Sequence, residues 1–108
     1  MIIGTIIQQP GEALDYDIDY TDFFNSVGGD SDVISSALDF EGNLQSTVTC
    51  NPDLKFGTQL LLIRSSDHRL KIWLSGVEND MEYKLTIKMV THGGRVKEDE
   101  LIVVGVDF

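Results

Sequence analysis

The chain has 108 residues, enough for one domain with its own core and too few for two ordinary ones. A hydrophobic fraction of 42% and a mean hydropathy near zero exclude a membrane protein and argue against disorder. The net charge of −10 lies wholly in the first half, where residues 1–54 carry ten acids and no Lys or Arg; such a surface repels nucleic acid, whose phosphates need cations.

The opening Met-Ile-Ile-Gly-Thr-Ile-Ile lacks the positive start and small-residue cleavage pattern of a signal peptide. Its β-branched residues make 1–9 either an arm that pairs with a neighbour's sheet edge, with Ile3 and Ile6 as contacts, or the first strand of the domain. Residues 10–108 read as a single β-sandwich domain entered through the Pro10-Gly11 turn. Leu14 to Tyr20 alternates without a break, so a pleated strand sets Leu14, Tyr16, Ile18 and Tyr20 on one face and Asp15, Asp17 and Asp19 on the other. Thr21 to Phe24 is a short helical turn that plugs the end of the core, and Gly28-Gly29-Asp30 is a loop. Val33 to Phe40, with Ile34, Leu38 and Phe40 on one side, forms a hairpin with Leu44 to Cys50 through Glu41-Gly42-Asn43.

Asn51-Pro52-Asp53 breaks the chain, and two strands follow, Gln59–Arg64 and Leu70–Ser75, joined by a turn over Ser65 to His68. The second points Leu70, Ile72 and Leu74 inward and Lys71 and Trp73 outward. Met81–Thr91 gives the longest alternation, with Tyr83, Leu85, Ile87 and Met89 opposed to Glu82, Lys84, Thr86 and Lys88. His92-Gly93-Gly94 turns into a last strand ending in Leu101 to Val104. No window holds a helical period, so the chain is all-β: a sandwich of about seven antiparallel strands of immunoglobulin or fibronectin type III kind. Gly76 to Tyr83 leads by a polar corner into a strand opened by an inward tyrosine. Tyr83 then either bonds back to the corner's backbone, as in a tyrosine corner, or sits in an ordinary hairpin. The stretch through Gly94-Arg95 resembles the corresponding part of a fibronectin type III module, with Gly76 and Gly94 as structural turns.

The sequence carries no recognisable catalytic constellation. His68 and His92 fall in polar turns that read as solvated, and no nucleophile elbow accompanies them. Cys50 is alone, so no disulfide forms within the chain, which fits synthesis in a reducing cytoplasm. One Cys and two His are too few for a structural zinc site, and no glycine-rich phosphate loop precedes a helix. Asp15-x-Asp17-x-Asp19 begins like a calcium loop, but Tyr20 and Ser26 stand where glycine and a bidentate glutamate are needed. On a strand those carboxylates repeat at roughly 7 Å and line a face. No enzyme, cofactor or metal is expected. An outward Trp73 is either an interface anchor or a rim residue folded over its neighbour, and the acidic row serves solubility or steers a basic partner.

Several of these pieces occur together in one family. Pro10-Gly11-Glu12-Ala13-Leu14-Asp15-Tyr16 with its acidic-aromatic continuation to Phe23 comes first, then Gly29-Asp30 before a strand containing Ile34. Ile72-Trp73-Leu74-Ser75-Gly76, Tyr83, Thr91 and Gly94-Arg95 follow in order. The chain thereby resembles the small tailed-phage structural proteins called fiber–tail adaptors. It departs from their pattern at Val77, where a second glycine is usual, and at Asp80-Met81-Glu82, where a glycine-containing turn is usual. The resemblance implies a virion component made in the host cytoplasm, ringing a tail or neck in several copies and joined to receptor-binding tail fibers by protein–protein contacts. Neither membrane nor nucleic acid is a partner in that reading. The competing expectation is a freestanding immunoglobulin-like module that binds carbohydrate or a cell surface, for which a single tryptophan makes a poor platform.

Overall fold

A computed structural model of the chain describes residues 2–29, 31–35, 46–54 and 60–107. Along these run β1 (Ile2–Gln8), β2 (Ala13–Asp19), α1 (Thr21–Ser26), β3 (Thr47–Asn51), β4 (Leu60–Ser66), β5 (Arg69–Ser75), β6 (Glu82–Val90) and β7 (Val96–Gly105). The described strands form two sheets, ordered β1-β7-β6-β3 and β2-β5-β4. All neighbours are antiparallel except β1 and β7, which run parallel. The order is compatible with an immunoglobulin-type sandwich, whose two sheets divide their strands in this way.

Alternation decides which face each strand buries. Leu70, Ile72 and Leu74 of β5 meet Tyr83, Leu85, Ile87 and Met89 of β6 and Leu101 and Val103 of β7 in one cluster between the sheets. Each such side chain contributes about 2 kcal/mol on leaving water. β2 supplies Tyr16 and Ile18 from the edge, paired in register with Ile72 and Leu70. The plug at the end of β2 is longer than four residues: α1 continues to Ser26, and Phe24 is its one buried side chain. The β4–β5 turn is tighter than the sequence suggests. β4 continues to Ser66 through an irregularity between Arg64 and Ser66, which leaves Asp67 and His68 as the turn.

Of the hairpin expected over 33–50, Ile34 makes an isolated bridge with Thr91, and β3 carries Val48 and Cys50 toward the core. Leu38, Phe40, the Glu41-Gly42-Asn43 turn and Leu44 lie outside the described residues, as does Asp30. At the β5–β6 corner the Glu78 N–H donates to the Tyr83 hydroxyl oxygen at 3.0 Å, and Val77 is buried beneath it. Gly76 and Gly94 adopt φ values of 84° and 90°, a left-handed backbone that favours glycine.

Two buried polar side chains hold elements in place. Gln8 is fully buried; its Nε2 donates to the carbonyls of Glu12 and Leu74, at 2.9 and 3.1 Å, and its Oε1 accepts from the Tyr16 hydroxyl at 2.5 Å. β1 is thus tied to both strands of the opposite sheet that it meets. At the Thr91–Arg95 turn, Asp32 accepts from Gly93 N–H at 2.8 Å and from Arg95 Nη1 at 2.8 Å.

Candidate functional site

The register of β2 on β5 decides what the acidic row becomes. Asp15, Asp17 and Asp19 stand opposite Trp73, Lys71 and Arg69, and on the far flank Leu61 and Ile63 of β4 stand opposite Trp73 and Lys71. All share the outer face of the three-stranded sheet. Lys71 Nζ reaches Asp15 Oδ2 at 3.4 Å, Arg69 Nη2 reaches Asp19 Oδ2 at 3.2 Å, and the Ser65 hydroxyl donates to Asp17 at 3.3 Å. Asp19 also accepts from the Thr21 hydroxyl and N–H. Those hydrogen bonds, with the Thr21 hydroxyl foremost, hold its carboxyl below the ordinary range. Cations of the same sheet therefore cover two of the three carboxylates. Sequence alternation gave the row but not its partners, because cross-strand register is non-local.

Beside the row lies an apolar strip. Leu61 and Ile63 are 43% and 44% exposed, and Trp73 is half-buried between Leu61 and Asp15. The strip runs along β4, an edge strand among the described residues.

A second feature sits between the sheets, where the edge strands β1 and β2 face one another. A groove of about 500 Å³ opens there, walled by Ile3 and Ile6 of β1 and Ile18 of β2, with Phe23 and Leu101. Asp17, Asp19 and Asp22 also line it, so β2 borders both the groove and the outer face. Lys97 bonds the buried Asp99 at 3.0 Å and lies 5.8 Å from the Phe23 ring centre. Burial, and then the Asp99 charge, pushes the Tyr20 phenol well above its ordinary range. The structure brings Trp73 and the three aspartates together on one face. Ile3 and Ile6 sit on the other sheet, across the groove from β2. Tyr83, Gly76 and Gly94 belong to corners and turns, away from both features.

The histidines differ from their expected solvated state in one case. His68 is half-buried: its ring stacks on Phe24 at 4.1 Å and 18°, and Nε2 lies 3.0 Å from the Asp32 carbonyl, whereas His92 is exposed. The cause is the tight β4–β5 turn, which folds His68 back over α1. Cys50 is half-buried, and burial, with Asp53 nearby, raises its thiol pKa. Among the described residues no three His, Cys, Asp or Glu side chains come together in a way that would hold a metal ion.

The outer face exposes Leu61 and Ile63, and the groove opens between the edge strands β1 and β2. Residues 8–104 match the protein family described as Podophage GP4 fiber-tail adaptor protein gp77. The chain belongs to this fiber–tail adaptor family. Its role is accordingly that of a structural adaptor, a virion component that binds other tail proteins. The match takes in the outer face with Trp73 and the aspartates, the Tyr83 corner and the β2 wall of the groove. Only Gln8 of β1 falls within it, so Ile3 and Ile6 lie outside. No curated protein matches the chain.

Proposed function

We propose that the chain joins the tail or neck of the virion to receptor-binding fibers purely through protein–protein contacts, without catalysis, as one of several copies in a ring. The observation that carries this reading is the strip of exposed Leu61 and Ile63 with half-buried Trp73 on the outer sheet face of a chain in the adaptor family. A tryptophan is a usual anchor of an interface, with neighbouring apolar side chains excluding water around it and charges at the rim. Asp15, Asp17 and Asp19 occupy that rim. Their role is to steer a basic partner, with Asp17 free of any cation among the described residues.

The test is light scattering of the purified chain, alone and mixed with each purified tail and fiber protein of the same virion. The expected result is a discrete ring or a stable complex with one of them, weakened by about tenfold or more in Trp73→Ala and in Leu61→Asp. A strict monomer that ignores every one of these proteins overturns the reading. Reversing the charge of all three aspartates should slow association and blunt its salt dependence; unchanged assembly would remove their role.

A further inference from the structure

β1 has properties that strands at a sheet edge usually avoid. Ile2–Gln8 contains no charged residue and no proline; Ile2 and Ile7 are each 58% exposed and Ile3 is 37% exposed. Among the described residues β7 is the one strand whose main chain pairs with β1, which leaves the other edge of β1 without a strand partner. An uncharged, apolar, unpaired edge invites another strand unless something covers it. β2, the edge strand across the groove, is blunted by its three aspartates and presents no such invitation.

The groove beside β1 has a defined chemistry. Its walls are apolar, through Ile3, Ile6, Ile18, Phe23 and Leu101, and its rim is acidic. Among the described residues the single cation in its lining, Lys97, is taken up by Asp99, and Asp19 is paired with Arg69. Asp17 and Asp22 are left without a cationic partner among the described residues. The Tyr20 hydroxyl, in a side chain only 3% exposed, has no hydrogen-bond partner among the described residues.

From these features we infer that the groove receives an extended segment of a neighbouring tail protein, added as a strand to the free edge of β1. The segment is about five to seven residues long, matching β1. It is apolar at alternate positions, to fill the walls, and carries Lys or Arg beside the apolar run, to meet Asp17 and Asp22. Strand addition of this kind takes affinity from main-chain bonds and selectivity from side-chain pockets. The complementary charge sets the partner apart from a second copy: this chain carries ten more acids than bases, and another copy brings like charge to an acidic rim. The inference rests on the adaptor reading for the identity of the neighbour, and on the groove alone for its chemistry.

The test uses the full chain and two labelled nine-residue peptides of alternating valine and threonine, one ending in lysines and one in glutamates. Fluorescence anisotropy should show saturable binding of the lysine peptide and at least about tenfold weaker binding of the glutamate peptide. Asp22→Lys, on the exposed surface of α1, should weaken the lysine peptide by about tenfold while lowering the melting midpoint by no more than about 4 °C, the cost of a cation in the first helical turn. Ile3→Asp should do the same from the opposite wall, and Trp73→Ala should leave the peptide bound. Equal affinity for both peptides, undiminished binding by Asp22→Lys and Ile3→Asp, or no binding at roughly 1 mM overturns the inference. So does self-association that Ile3→Asp abolishes, since the groove would then belong to a second copy. The two readings fail separately. A tail protein held equally by wild type and Ile3→Asp removes the groove and leaves the adaptor, whereas peptide binding without any tail-protein binding removes the adaptor and leaves the groove.

Discussion

Phe23 and Phe24 are neighbours in α1, their rings edge-to-face at 5.7 Å, yet they face two different environments. Phe24 is fully buried and stacked on His68, beside a turn where the buried Asp32 has each carboxylate oxygen hydrogen-bonded. Phe23 is half-buried and forms part of the groove between β1 and β2, near a Tyr20 hydroxyl without a hydrogen-bond partner and two aspartates without a cationic one among the described residues. One side of a six-residue helix is closed and the other is open. The difference teaches where this chain concentrates its stability and where it leaves surface for a partner. Binding regions are drawn from the less protected parts of a structure, because a surface with every group satisfied has nothing left to offer.

The largest effect should come from the two phenylalanines themselves. Phe24→Ala opens a cavity under His68 and should cost about 4 kcal/mol, seen as a fall of the thermal midpoint by about 15 °C. Phe23→Ala, at a half-exposed site, should cost about 1 kcal/mol. Equal losses would break the comparison, because they would mean that the groove side is as tightly packed as the closed side.

Next in size is Asp32. Burial would raise its pKa, but hydrogen bonds from Thr91, Gly93, Arg95 and Val33 outweigh that and bring it to about 2. Asp32→Ala leaves the Gly93 N–H and the Arg95 guanidinium without their acceptor and should cost about 3 kcal/mol in urea unfolding. The same carboxyl sets an acid limit. Its folded pKa lies below its unfolded value near 4, so its contribution is complete above about pH 4 and is lost as the pH falls toward 2. Stability measured from pH 5 to pH 2 should therefore fall by about 2 kcal/mol more in wild type than in Asp32→Asn. Parallel curves would show that the turn gains nothing from the charge.

Much of the fold is legible along the sequence. The Tyr83, Leu85, Ile87, Met89 alternation and the Leu70, Ile72, Leu74 triplet state which faces meet, since strand period is local. What is not legible depends on pairing between distant segments. The parallel seat of β1 on β7, the burial of Gln8 and the Asp32–Arg95 bond join residues tens of positions apart, and no local pattern marks them. Gln8 ends a run rich in isoleucine, and only the position of Leu74 and Tyr16 makes it a buried clasp. Of the contact surfaces, Trp73 and the aspartates are visible as an outward residue and an alternating row. Leu61 and Ile63 read as ordinary members of an apolar run, and their exposure comes from the β4–β5 register.

On the open side, Tyr20→Phe removes a buried hydroxyl that has no partner among the described residues. Stability should be unchanged or rise by up to about 1 kcal/mol, the reverse of what deleting a bonded group does. A loss on calorimetry would reveal that the hydroxyl is already satisfied, and the contrast across α1 would shrink accordingly.

The smallest expected effect concerns the ion pairs of the outer face. Lys71 and Asp15 are 3.4 Å apart, with side chains 30% and 43% exposed, so water and salt screen most of their attraction. A double-mutant cycle with Asp15→Asn and Lys71→Met should give a coupling of about 0.5 kcal/mol or less at low salt, vanishing near 1 M salt. So weak a pair holds the row in register without committing it. A lysine or arginine arriving from a partner can take over Asp15 at little cost, and Lys71 can turn to solvent. A coupling above about 1 kcal/mol would reverse that conclusion. The row would then be fixed within its own sheet, leaving Asp17, Leu61, Ile63 and Trp73 to carry the contact.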